Sequence, residues 1–197
     1  MNKLAVTPDA PQLSLTILPF SSYSVSSKIF VATCAAGLSR TGMVAFGAGG
    51  NGQWDTHSGN SAQDGYFEQL FSVLDQVIAE LDAAPGENGG TLLDETTVVV
   101  LSEMGRTPQR SASGGKDHWT WTSAMLIGSG VAGGRTIGNW TEQLTGDAIN
   151  LSSGEVSESG VTMMPGHLGA TLLALADIDP GDDVDPAVGE VIEAVLA

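Results

Sequence analysis

The 197-residue chain is long enough for one folding unit with a sizeable core and too short for two comfortable ones. Its 7 Lys and Arg against 23 Asp and Glu give a formal charge of -16, which repels phosphodiester backbones and anionic membrane surfaces and argues against nucleic acid as a partner. Hydrophobic residues make up 42%, yet no apolar run approaches the roughly 20 residues of a spanning helix, so no membrane span is expected.

Residues 1–26 carry Pro8, Pro11 and Pro19 among many Ser and Thr and show no sustained period, which reads as an irregular lead-in to a domain over 27–197. Lys3 is the one early positive charge, and the apolar piece Leu13–Phe20 is interrupted by Ser14, Thr16 and Pro19, a poor match to a signal peptide. From Ser27 to Leu38 the apolar positions suit a buried helix, and Met43–Phe46 suits a short strand. The single cysteine, Cys34, cannot form an internal disulfide and falls in the apolar run Ile29–Ala36, where a core role is expected. After a glycine-rich loop, Phe67, Leu70, Phe71, Leu74, Val77, Ile78 and Leu81 recur every three or four residues and predict an amphipathic helix ended by Pro85-Gly86. The β-branched run Thr96–Leu101 predicts a strand buried on both faces, and Ala124–Ile127 a second. A helix over Leu168–Ala176 and a short closing one over Ala187–Leu196 complete the set. Strands alternating with helices predict an α/β fold, a mainly parallel sheet flanked by helices.

Three short motifs concentrate the polar chemistry. Trp54-Asp55-Thr56-His57 puts a carboxylate and an imidazole two residues apart, where both can face one zinc or manganese ion; the alternative is that Asp55 caps a turn and His57 lies on the surface. Ser102-Glu103-Met104-Gly105-Arg106-Thr107-Pro108 begins where the predicted strand stops, and ligands of open α/β sheets gather outside the carboxyl ends of strands. That places Glu103 where a catalytic or metal-binding carboxylate usually sits, with an ion pair to Arg106 as the competing role. In Gly114-Gly115-Lys116-Asp117-His118-Trp119, His118 is the expected ligand, and Asp117 either orients an imidazole or reaches a second metal. Arg106, Arg110 and Lys116 are three of the seven basic residues and lie within eleven positions, which suits an anionic ligand bound by Arg106 and Lys116. Neutralisation of nearby acids would explain the same cluster.

Other features carry less. Gly128-Ser129-Gly130-Val131-Ala132-Gly133 matches a dinucleotide-binding pattern, but the polar residues after it deny it the required helix, and it reads as a loop. His167 opens a predicted helix after Pro165-Gly166, where a capping or surface role is expected. Trp54, Trp119 and Trp121 flank the motifs as packing aromatics or walls of a site.

The order Trp-Asp-Thr-His, Ser-Glu-Met-Gly-Arg-Thr-Pro, Gly-Lys-Asp-His resembles the uncharacterised DUF1501 family over roughly residues 27–180, including Val131-Ala132-Gly133-Gly134-Arg135 and Ala170-Thr171-Leu172-Leu173. That family is similar to the alkaline phosphatase and sulfatase superfamily, which hydrolyses phosphate or sulfate esters over one or two metals. The resemblance implies a partial alkaline-phosphatase-like α/β/α domain, with Asp55, His57 and His118 around one divalent ion, Glu103 towards a second and Arg106 facing a small anionic ester. Where the superfamily has an Asp-His pair this chain has Glu103-Met104, and Met104 cannot replace an imidazole as a hard-metal ligand. The resemblance also implies that the nucleophile and a further metal-binding Asp come from an amino-terminal half not found here, and that relatives often carry a twin-arginine export signal. The rival expectation is a non-catalytic metal- or anion-binding module, or an export-linked interaction protein of the same fold.

Overall fold

The computed structural model describes residues 23–45, 54–180 and 189–197. The lead-in up to residue 22, the glycine-rich loop 47–52, Phe46 and Ala187 lie outside the described residues. The chain forms two compact units, one of residues up to Asp55 with Ser61–Asp94, the other of Thr56–Asn60 with Glu95–Ala197.

The first unit pairs helix α1 (Tyr23–Ala35) with helix α2 (Gln63–Ala83). Helix α2 runs where the periodicity predicts it and turns Leu81, fully buried, inward, while Phe67 and Phe71 remain exposed. It ends before Pro85, whose ring cannot continue the helical hydrogen bonding. Met43–Ala45, expected as strand, carry no regular structure. Cys34 is half-buried on α1, and burial pushes its thiol above the ordinary range. Beyond α2, the exposed Asp94 accepts hydrogen bonds from the Thr91 amide at 2.8 Å and the Thr91 hydroxyl at 3.0 Å, which hold its carboxyl below the ordinary aspartate value of 3.8.

The second unit corrects the sheet prediction. Strands β1 (Thr97–Val100) and β4 (Met125–Gly128) pair antiparallel, with Thr97 opposite Gly128 and Val100 opposite Met125. Between them, β2 (Gly105–Arg106) and β3 (His118–Trp119) pair antiparallel in turn, and so do β5 (Ala148–Ile149) and β6 (Val161–Thr162). A parallel pair needs a crossover of a dozen or more residues, usually a helix. The stretch Leu101–Ala124 joining β1 to β4 folds back on itself instead, so the two apolar strands are the arms of one long hairpin. Val98, Val99 and Val100 are accordingly half-buried, and Leu101 is 57% exposed.

Helix α3 (Pro165–Leu175) starts with Pro at its first position and is capped by His167, whose Nδ1 accepts the Met164 amide at 2.9 Å. The expected capping role of His167 is what the geometry shows. Fully buried Thr171 donates to the His167 carbonyl at 2.7 Å and accepts the Ile192 amide at 2.9 Å, tying the carboxy-terminal segment to α3. That segment holds a 3-10 turn, Glu193–Val195, in place of the predicted closing helix. Ile149, Ile192 and Ala194 form a core with Ile137, Leu151, Met163 and Val195 around them. Past Gly128, which ends β4, the glycine-rich stretch to residue 133 is turn and loop, as its flanking residues predict.

Two outcomes follow. Ile149→Ala, at a side chain with no exposed surface, lowers unfolding free energy by about 2–5 kcal/mol in urea denaturation. Asp94→Ala lowers the urea midpoint near pH 6. Because the folded carboxyl lies below its unfolded value, its contribution is present above that value and is lost as pH falls through the folded one, so the gap between variant and wild type narrows as pH falls below 3.8.

Candidate functional site

The site grows out of hairpin register. Arg106 and His118 are direct cross-strand partners in the β2–β3 ribbon, so their side chains leave the same face. Gly105 faces Trp119 on the other. The outgoing arm takes four residues, Leu101–Met104, from β1 to β2, whereas the return arm takes five, Thr120–Ala124, from β3 to β4. One extra residue in a return arm kinks it and re-aims the side chains beyond. The arms approach closely there: a Cβ on Gly105 would lie 1.8 Å from the Trp121 carbonyl oxygen, so only glycine fits.

The hairpin tip brings in the first motif through main-chain contacts. The Lys116 amide donates to the Thr56 carbonyl at 3.0 Å, and the Ser113 hydroxyl donates to the His57 carbonyl at 2.9 Å. Gly115 lies flat against His57, where an added Cβ would be 1.9 Å from the His57 oxygen. Thr56 is buried and its hydroxyl donates to Asn60 Oδ1 at 2.9 Å, closing the short 56–60 segment on itself.

His57 and His118, 61 positions apart in sequence, are thereby brought to a ring-centroid distance of 4.8 Å with planes inclined at 49°. Arg106 lies against them. Its Nη1 is 3.4 Å from each His57 ring nitrogen, long for a hydrogen bond, and donates to the Lys116 carbonyl at 3.2 Å, which fixes the guanidinium in place. One guanidinium and two imidazoles thus share the corner.

The remaining predicted residues have surroundings of their own. Lys116 contributes its backbone on both sides of the contact. Glu103 is exposed past the end of β1 and accepts the Ser102 hydroxyl at 3.2 Å; Asp117 is exposed, with its amide on the Thr107 hydroxyl at 3.1 Å. Asp55 belongs to the first unit, beside Trp54, whose indole packs 5.2 Å from the Phe67 ring and 5.5 Å from the Tyr66 ring. Among the described residues, no group of three or more His, Cys, Asp or Glu side chains is gathered to hold one ion. Two imidazoles sharing a tetrahedral ion, with metal–nitrogen bonds of about 2.0–2.1 Å, have centroids about 5 Å apart. The His57–His118 centroid distance, 4.8 Å, is close to that figure.

The hydroxyls near the motifs are engaged locally. Ser102 also donates to the Met104 carbonyl at 3.0 Å, and Thr107 donates to the Gln109 carbonyl at 3.0 Å. Sequence reasoning passed over Gly105, Ser113 and Gly115. The readable signal for Gly115 is its doublet with Gly114 between two polar motifs, which marks a tight tip without saying what approaches it.

The family model described as "Protein of unknown function (DUF1501)" matches residues 30–185. The chain belongs to the DUF1501 family. All three motifs of this DUF1501 chain lie inside the matched span. No curated protein and no solved structure gives a match.

Gly115→Ala is expected to push the 56–57 backbone off the hairpin tip at a cost of about 1–3 kcal/mol. Hydrogen exchange checks it: the Lys116 amide, bonded to Thr56 in the wild type, exchanges faster in the variant.

Proposed function

We propose that the second unit recognises a small phosphate- or sulfate-bearing ester and, together with a divalent zinc or manganese ion, takes part in its hydrolysis. The observation that carries this reading is the Arg106 guanidinium held against the His57–His118 pair. A guanidinium matches the oxygens of a phosphoryl or sulfuryl group, and its charge is the same at every working pH. His57 and His118 would hold the metal, which supplies Lewis-acid polarisation of an ester oxygen when bound. Similarity of the family to the alkaline phosphatase and sulfatase superfamily supports the same chemistry. Asp55, Glu103 and Asp117 are the candidates to complete the ligand set, each within two residues of a site residue or past the end of β1.

A second reading is an anion-binding module that performs no chemistry. It is favoured by the local engagement of the Thr56, Ser102 and Thr107 hydroxyls, which gives none of them the placement of a nucleophile.

Calorimetry with zinc, manganese and inorganic phosphate tests both readings. The wild type is expected to bind zinc with an affinity lost in the His57→Ala, His118→Ala double variant. Phosphate affinity should fall about tenfold or more in Arg106→Ala, the worth of one charge-assisted hydrogen bond. Equal zinc binding by wild type and double variant would remove the metal. Phosphate binding that survives chelation, with no turnover of p-nitrophenyl phosphate or sulfate, would leave the anion-binding module standing. Metal-dependent turnover abolished by the double variant would establish the hydrolase.

A further inference from the structure

Trp119 follows His118 in β3, so its side chain leaves the rear face of the ribbon, away from Arg106 and His118. There its indole N–H donates to the Leu144 carbonyl at 3.3 Å. Leu144 closes a tight turn bridged by Trp140 and Gly146, and its own amide donates to the Thr141 carbonyl at 2.9 Å. Its φ is 61°. Among the described residues, Leu144 and Asp177 are the two non-glycine positions with positive φ. Aspartate tolerates that region, but for a bulky residue it is an outlier, and turns of this kind usually place glycine or asparagine there.

The turn holds the outlier from several sides. Thr141 Oγ1 accepts the amides of Gln143 and Thr145, each at 3.2 Å, and lies 2.9 Å from the Thr145 hydroxyl; the Thr141 amide donates to the Thr145 carbonyl at 2.7 Å. Gly146 backs onto the Trp121 ring, where an added Cβ would lie 2.5 Å from a ring carbon. Both indoles of the hairpin's return arm are therefore clamped by one turn. Burial does not explain the strained residue, because the Leu144 side chain is 42% exposed. What the left-handed backbone achieves is the direction of its carbonyl. Strain held in place by its surroundings points from the outlier towards function.

We propose that the Trp119–Leu144 contact is a positioning device that fixes the return arm of the hairpin from behind and so holds His118 beside His57 and Arg106. The ligand-binding consequence rests on the function proposed above; the geometric one does not. Trp119 and Leu144 are positioning residues and touch no ligand.

Two variants test it. Trp119→Phe keeps the aromatic packing and removes the donor. Leu144→Gly keeps the carbonyl and removes the Cβ that opposes the left-handed backbone, so it relieves the strain while leaving the acceptor in place. Each is read by thermal midpoint, by the nuclear Overhauser contact between the His57 and His118 rings, and by calorimetric affinity for inorganic phosphate. In Trp119→Phe the ring contact is expected to weaken and phosphate affinity to fall about tenfold with little change in thermal midpoint. In Leu144→Gly the carbonyl acceptor is kept, so ring contact and affinity should stay at the wild-type level. Loss of ring contact in Trp119→Phe at an unchanged midpoint is what a merely structural role does not produce. Ring contact unchanged in Trp119→Phe overturns the proposal, as does its loss in Leu144→Gly. If the wild type shows the ring contact but binds no phosphate, the proposed function fails and the ring contact in the variants still decides the positioning role. A wild type without the ring contact overturns the arrangement outright.

Discussion

Antiparallel register along one hairpin is the constraint on which the candidate site depends. Because β2 and β3 are nested inside β1 and β4, the choice of partner for each residue is inherited from the tip outward. Arg106 meets His118 because of that choice, and a slip of one residue would send one of them to the other face. Here the residues past the end of β1 turn back to pair with the motif that follows them, which a parallel sheet would not allow. The polar residues of two motifs become neighbours through backbone hydrogen bonds, before any side chain attracts another.

The first motif joins through a different device. His57 is delivered by carbonyl groups, its own and that of Thr56, held by the Lys116 amide and the Ser113 hydroxyl over a glycine that leaves room for them. Both bonds are accepted by main-chain carbonyls of the 56–57 segment. The Arg106 guanidinium donates to the Lys116 carbonyl and lies beside the His57 ring. On the function proposed here the anion would be held by Arg106, and the cation by the two imidazoles against the arginine charge. This balance makes Arg106 and the His57–His118 pair separable in experiment.

The rear face of the same ribbon carries apolar weight and strain. Trp119 and Trp121 fasten the return arm to the turn around Leu144, and the core of Ile149, Ile192 and Ala194 lies elsewhere in the unit. Few large side chains are fully buried; Leu81, Ile149 and Thr171 are the largest among the described residues. Small hydrogen-bonded clusters such as Thr141 with Thr145, and Thr171 with His167 and Ile192, therefore hold local shapes that a thicker core would otherwise impose.

Amino-acid pattern alone determined the elements whose cause is local. Helix α2 follows from apolar residues every three or four positions and a terminating Pro85, α3 from its apolar run behind Pro165, and the runs 97–100 and 125–128 from β-branched and apolar content. The motif order, read from sequence, named the family to which the chain belongs. Tertiary structure decided what local pattern leaves open: whether two buried-looking strands run parallel or antiparallel, and which side chains share a face. An apolar run reports burial but not direction, because direction is set by the connection, and here Leu101–Ala124 forms a hairpin instead of a helix. The grouping of His57, His118 and Arg106 was likewise decided by backbone contacts at Gly115 and Thr56, which depend on residues distant in sequence and leave no periodic signal.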